Sequence, residues 1–435
     1  MTQARNATES GAPRVVHLAQ SDREGGANRA AFRLHQALRA AGVESVFHPG
    51  RKLGDDPSVI PAWPRLAGRL TSEFVARLNA LALRAYPSRR SGAFSPVRLS
   101  YGEPHRDLIA AADVVCLHWI AGAFLKPAAL ARIGQPLVWR LSDLWPFTGG
   151  CHYPAKCRGF AEQCGRCPAL GSQSDFDLSR LDFVARRRAY ANLDLTIVAP
   201  SRWIADQARG SSLFGGRRIE HIATGVDLTL YRPHDWAQAR NTLSLPLDRR
   251  IVLFGALAAT EDRRKGYHHM NAALHLLAAS GKADDVMLVV FGGGRGAEKA
   301  EHLPLPALHV GPIANEDHLS MLYAAADVFI APFEEDNLPN VVLEALACGT
   351  PVAAFRTGGI PDSIDHGENG YLAPVGAADE LARGILWAIE DADRQARLRH
   401  SARAVAQARF DLASCARRYR DLFTDIAGRV RAGAA

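Results

Sequence analysis

The feature that most constrains this chain is an alternation of short apolar runs with segments of helical periodicity, repeated in two series with a change of pattern between them. Near-continuous apolar runs separated by amphipathic segments predict parallel strands covered on both faces by crossover helices. In the first series VVHLAQ (Val15–Gln20) reads as a buried strand, SDREGGAN as a turn and RAAFRLHQALRAAG as a helix ending near Gly42. DVVCLHW (Asp113–Trp119), PLVWRLSD (Pro136–Asp143) and LTIVAPS (Leu195–Ser201) continue it. The second series has RIVLFGA (Arg250–Ala256), VMLVVFGGG (Val286–Gly294), DVFIAPF (Asp327–Phe333) and PVAAFR (Pro351–Arg356), with helical segments such as HLSMLYAAA and LPNVVLEALAC between. The pattern changes over residues 200–245, and ATGVDLTLYRPHD belongs to that connection. The expected architecture is α/β, with two Rossmann-like domains over 1–200 and 201–408 and a tail over 409–435. A chain of 435 residues that is 48% apolar can bury two such cores.

The net charge of +7 permits attraction to phosphates or to anionic membranes and specifies neither. No base-reading motif accompanies it, so nucleic acid is not an expected partner. The opening MTQARNATES is polar, and no later run offers about 20 consecutive apolar residues. A soluble cytoplasmic protein, peripheral at the inner face of the membrane, is the expectation. The segment PRLAGRLTSEFVARLNALALRAYPSRR spaces Leu66, Leu70, Phe74, Leu78 and Leu81 helically among arginines. This stripe either packs on the first domain or meets anionic lipid.

Candidate chemistry lies at the ends of the apolar runs. Gly25 and Gly26, between the first strand and its helix, would let backbone N–H groups approach a phosphate or sugar, or form a simple tight turn. Neither a complete GxGxxG nor a GxxxxGK[ST] motif is present. In DRRKG (Asp262–Gly266), Lys265 could set a point charge against a diphosphate, with Arg263 or Arg264 adding a fork of donors; a solvated basic turn is the alternative. Asp336 on a loop and Glu344 on the following helix could orient sugar and ribose hydroxyls, or be two exposed acids. His118 and Asp143 each follow an apolar run of the first half, where α/β enzymes expose chemistry. Asp143 could accept a proton from an acceptor hydroxyl, orient that hydroxyl, or cap a turn. His118 could serve the site or a packed hydrogen-bond network. Cys151, Cys157, Cys164 and Cys167, spaced C-x5-C-x6-C-x2-C, could hold structural Zn(II), with His152 replacing one sulfur. Unligated or redox-active thiols and iron–sulfur chemistry are the other readings.

Taken in order, EGGANRAAFRLHQALRAAG, TGVDLTLYRP, RRKG and DNLPNVVLEALACGTPVAAFRTGGIPDSI resemble the retaining glycosyltransferases of GT-B family 4, also called glycosyl transferase group 1. The combined motifs resemble especially the bacterial enzymes of exopolysaccharide and colanic-acid-type assembly, and WPFTGGCHY followed by the cysteine cluster points to a more particular branch. The resemblance spans nearly the full chain. It implies two domains facing across a cleft, with a C-terminal helix crossing back to the first. It implies a donor of the UDP- or GDP-sugar type, and as acceptor a glycan or an undecaprenyl-diphosphate-linked oligosaccharide. Front-face transfer with retention would need no catalytic metal. Residue by residue, it sets Gly25 and Gly26 facing the phosphates and acceptor, Lys265 on the leaving diphosphate and Glu344 on the nucleotide ribose. Asp336 would contact the transferred sugar with a shortened arm that Glu335 could compensate, and Asn337 and Leu338 would offer backbone contacts. The chain departs from the family's pattern in having Gly255-Ala256 where Gly-Arg is common and Ser142-Asp143 where His-Asp is common. Arg263 or Arg264 would then supply the phosphate contact, and Asp143, with His118 second, the acceptor-side chemistry. An epimerase, a phosphorylase-like enzyme or a non-catalytic sugar-nucleotide-binding module on the same arrangement are the alternatives.

Overall fold

The computed structural model describes residues 12–90, 94–96, 98–257, 262–293 and 303–433; MTQARNATES and Gly294 fall outside them. Among the described residues are two six-stranded sheets, every strand pairing parallel to its neighbours. The first is built from β1 (Arg14–Ser21), β2 (Glu44–Arg51), β3 (Val114–Leu117), β4 (Leu137–Arg140), β5 (Leu195–Ala199) and β6 (Arg218–His221) in the order β2-β1-β3-β4-β5-β6. The second is built from β7 (Arg250–Leu257), β8 (Val286–Gly293), β9 (Ala307–Gly311), β10 (Val328–Ala331), β11 (Val352–Phe355) and β12 (Gly370–Ala373) in the order β12-β11-β10-β7-β8-β9. All residues of β3, β4, β5, β10 and β11 are buried, as strands covered on both faces must be. The first sheet extends past residue 200, since β6 pairs with β5, so the sheets divide between His221 and Arg250.

Strand order reverses between β1 and β3 in one sheet and between β7 and β10 in the other. At such a switch point the crossovers leave on opposite faces and open a crevice at the carboxyl ends of the strands. The two crevices face each other across a cleft. The first helix, Gly25–Ala40, begins at the glycine pair rather than after it. The C-terminal helix Leu412–Gly433 packs back on that first helix and on β3, placing Tyr419, Phe423 and Ile426 in the core beneath β1 and β3. This is the GT-B arrangement.

The helix Arg65–Leu81 buries Gly68, Ser72 and Asn79 and turns its apolar stripe outward. Leu66 is 72% exposed, and Leu70 and Phe74 are each 61% exposed. Packing of this stripe on the first domain, one of the two sequence expectations, is therefore not what the fold does. On its buried side the Asn79 side chain accepts from the Leu99 N–H and donates to the Leu99 carbonyl. None of the described helices is long and apolar enough to cross a membrane.

Candidate functional site

A cavity of about 370 Å³ lies between the sheets. Its second-domain wall follows β7 and β10. Asp262 caps the short turn Arg263–Lys265, accepting from the Arg264 N–H, and Gly266 at φ 72° ends it. A side chain at Gly266 would collide with the Pro332 carbonyl, so glycine lets the basic turn close onto the end of β10. Lys265 Nζ thereby lies 2.7 Å from Asp336 Oδ2, and Arg264 Nη1 3.2 Å from the same oxygen. Burial alone would raise the Asp336 pKa, but the two cations outweigh it and hold the carboxyl below its ordinary value. Gly358 is a second position where only glycine fits, since a Cβ there would strike the Asp336 carbonyl.

Glu344, on the helix Asn340–Ala347, faces the cleft with both oxygens engaged. Arg33 Nη1, from the first domain, lies 2.7 Å from Oε1, and the Tyr323 hydroxyl donates to Oε2 at 3.0 Å. Further interdomain contacts fix the loop between Asp336 and Glu344. Asn337 Nδ2 donates to the Leu141 and Ser142 carbonyls, Ser201 Oγ donates to Asn337 Oδ1, and Asn340 Nδ2 donates to the Gly26 carbonyl. Leu338 lines the cavity beside Asn337.

The first-domain wall holds Gly25 and Gly26 at the helix start, with Trp119, Arg140, Ser142 and Asp143 at the ends of β3 and β4. Asp143 is not a free carboxylate. Its Oδ1 accepts from the Trp145 N–H at 2.9 Å, and its Oδ2 accepts from Trp119 Nε1 at 3.0 Å and pairs with His152 Nδ1 at 2.7 Å. Three neighbours fill three of its four acceptor positions and tie the ends of β3 and β4 to the segment that follows.

The cavity thus gathers Gly25, Gly26, Asp143, Arg264, Lys265, Asp336, Asn337, Leu338 and Glu344. Three candidates lie elsewhere. His118 is buried in a ring cluster with His17, His35 and Phe47, its Nε2 2.9 Å from His17 Nδ1, and burial holds its pKa well below the ordinary value. It is 1% exposed and lies outside the cavity lining. Arg263 is 78% exposed along its side chain and, among the described residues, its ion pair is with Glu334, at 3.9 Å. Arg264 is the arginine of the pair that faces the cavity. Glu335 accepts from the Ala155 N–H across the domains rather than lengthening the reach of Asp336, and burial raises its pKa.

The cysteine segment lies against this site. Cys151 and Cys167 pack with Phe94, Leu170 and Leu178, and all four thiols are free. Burial pushes the Cys164 thiol up to about 12 and raises Cys151 and Cys167. A tetrahedral zinc site with Zn–S of about 2.3 Å requires sulfurs about 3.8 Å apart. Among the described residues, the triads whose ligand atoms all come within 4.8 Å are His17/Cys116/His118 and His268/His269/Glu334; no three of the four cysteines form one. As placed, the thiols do not fit a tetrahedral ion. His152, a substitute ligand on the sequence reading, instead bridges Asp143 and Ser95.

Sequence reasoning missed three residues of the site. Tyr153, two positions after Cys151, crosses the cleft: the Arg264 guanidinium lies 4.1 Å from its ring centre, and its hydroxyl is 3.5 Å from Asp336 Oδ1. Arg33 pairs with Glu344, and Arg140 lines the cavity. Arg140 ends a strand already legible in PLVWRLSD, which is the signal that could have found it.

Residues 248–391 match the family model for glycosyl transferases group 1. The chain is 30% identical over 274 residues to a D-inositol 3-phosphate glycosyltransferase of Acidothermus cellulolyticus, covering 60% of this chain and 56% of the relative. It is 31% identical over 225 residues to the protein of that name from Thermobispora bispora, covering 49% and 52%. The chain spans about half the length of the curated relatives it matches. Among solved structures, sucrose-phosphate synthase from Thermosynechococcus elongatus aligns with a TM-score of 0.65 at 20% identity, over 96% of this chain and 100% of that one. HepE of Anabaena in complex with UDP aligns at 0.61 and 19%, over 95% and 100%. At these identities the likeness shows the fold.

Proposed function

We propose that this protein is a retaining glycosyltransferase that moves a sugar from a nucleoside-diphosphate sugar to a growing, lipid-linked glycan. The observation that carries the reading is the Lys265–Asp336 pair facing the cleft, with Glu344 beside it, in the segment that matches glycosyl transferases group 1. A cation next to a carboxylate suits a diphosphate joined to a sugar: Lys265 and Arg264 meet the leaving phosphates while Asp336 accepts from sugar hydroxyls. Glu344, already oriented by Arg33 and Tyr323, accepts from the ribose. In a front-face reaction the C1–O bond to the diphosphate breaks as the acceptor oxygen bonds to C1 on the same face. The acceptor proton passes to a departing phosphate oxygen, and Lys265 stabilises the charge left on the diphosphate. Asp143, fixed by Trp119, Trp145 and His152, shapes the acceptor wall.

The acceptor's lipid anchor is supported by the helix Arg65–Leu81, whose exposed Leu66, Leu70 and Phe74 lie among Arg65, Arg69 and Arg77. An apolar stripe with flanking cations suits the inner face of an anionic membrane. The test is mass-spectrometric detection of product after purified protein meets a panel of UDP- and GDP-sugars and a lipid-linked glycan extract. A donor-dependent mass gain on the acceptor supports transfer and gives the sugar's mass. Donor binding without a gain favours a binding module, and absence of binding across the panel refutes the reading.

A further inference from the structure

Among the described residues, one buried arginine of the cleft has no carboxylate partner. Lys265 and Arg264 stand against Asp336, and Arg33 against Glu344. Arg140, at the end of β4, is only 5% exposed and lines the same cavity, yet its hydrogen-bond partners are hydroxyls: Thr224 Oγ1 accepts from Nη2 at 2.7 Å, and Ser142 Oγ is 3.4 Å from Nη1. No carboxylate forms an ion pair with it among the described residues. A guanidinium is a permanent cation, and a buried one without a counter-charge is costly to keep unless something else compensates it. The neighbouring wall is also electropositive. The first turn of the helix Gly25–Ala40 carries no acidic side chain, and its leading N–H groups, which no intrahelical carbonyl can satisfy, open on the cavity beside Gly25 and Gly26. Thr224, accepting from Arg140, keeps its own proton to donate.

Guanidinium, hydroxyl and helix-end amides on one wall are the donor set of a phosphoryl site. We propose that Arg140 and Thr224 form an anion subsite on the first-domain side of the cleft, which takes a phosphoryl group separately from Lys265. This rests on the transferase reading for its purpose. The group comes either from the donor's diphosphate or from a phosphate on the acceptor.

The test measures inorganic phosphate, UDP and GDP binding calorimetrically to the full chain, comparing wild type with Arg140→Met and Thr224→Val. Arg140→Met removes an unpaired buried charge, so its melting temperature without ligand should stay at or above wild type. Should it fail to fold, Arg140→Lys replaces it, keeping the charge but losing the fork. Phosphate affinity is expected to fall at least tenfold in Arg140→Met and severalfold in Thr224→Val. Nucleotide affinity unchanged in the same variants assigns the subsite to a phosphorylated acceptor; a parallel loss assigns it to the donor's diphosphate. Phosphate affinity within twofold of wild type, or no phosphate binding by wild type, overturns the subsite. In that event nucleotide binding leaves the transferase reading standing; conversely, phosphate binding that the variants lose, with no nucleotide binding by wild type, leaves the subsite standing and removes the transferase reading.

Discussion

Replacing Lys265 by Ala is the sharpest test of the proposed chemistry, because one atom carries the proposed role. Lys265 Nζ lies 2.7 Å from Asp336 Oδ2 with a fifth of its side chain exposed, so it acts in a partly screened site. A unit charge about 4 Å from a phosphate oxygen is worth roughly 4 kcal/mol at an effective dielectric near 20. Removing one preorganised donor from a developing oxyanion costs about 2.7–4 kcal/mol, or about 10²–10³ in turnover. The folded state loses less, because Asp336 keeps Arg264 at 3.2 Å, and a stability change of about 1–2 kcal/mol is expected. For a protein of this size that is a fall in melting temperature of only a few degrees. The assay is release of nucleoside diphosphate at saturating donor, with circular dichroism and thermal melting as controls. The expected result is a kcat lowered at least a hundredfold with donor KM changed much less. A kcat within threefold of wild type, in a folded variant, would refute the leaving-group role.

Arg33→Met should cost about 3 kcal/mol, since it strands the buried Glu344 with only the Tyr323 hydroxyl; urea midpoints measure it, and adding Glu344→Gln should recover most of the loss. His17 and His118, whose folded pKa values burial holds far below 6.5, bind fewer protons folded than unfolded. Stability is then full above pH 6.5 and declines as pH falls below it, and His118→Phe should flatten a melting profile between pH 6.5 and 4.5. Asp336, with its folded pKa depressed, adds stability that is present above its unfolded value of 3.8 and lost as pH falls through the folded one; Asp336→Asn should remove that acid limb. Leu66→Ser with Phe74→Ser should abolish sedimentation with phosphatidylglycerol vesicles and leave the melting temperature unchanged, because both side chains are exposed.

The strands legible in the sequence were those inside the sheets: β1, β3, β4, β5, β7, β8, β10 and β11 are each flanked on both sides. The four that were not legible, β2, β6, β9 and β12, are the four edges. A central strand is covered on both faces and reads as an unbroken apolar run, whereas RIEH of β6 and ALHVG of β9 keep partly exposed residues that mask the signal. The order of motifs along the chain determined the two-sheet arrangement and brought Lys265, Asp336 and Glu344 into consideration. Which strand-end side chains face the cleft was decided by tertiary structure alone. Asp143 and Arg140 line the cavity while His118, which the β3–β4 register carries alongside Arg140, is sealed among His17, His35 and Phe47, because the packing around the strand ends decides which of their side chains stays open. His152 meets Asp143 nine positions away through a turn within the first domain, whereas Tyr153 and Arg33 act through partners 183 and 311 positions away, and only the closing of one domain on the other converts those two separations into contacts.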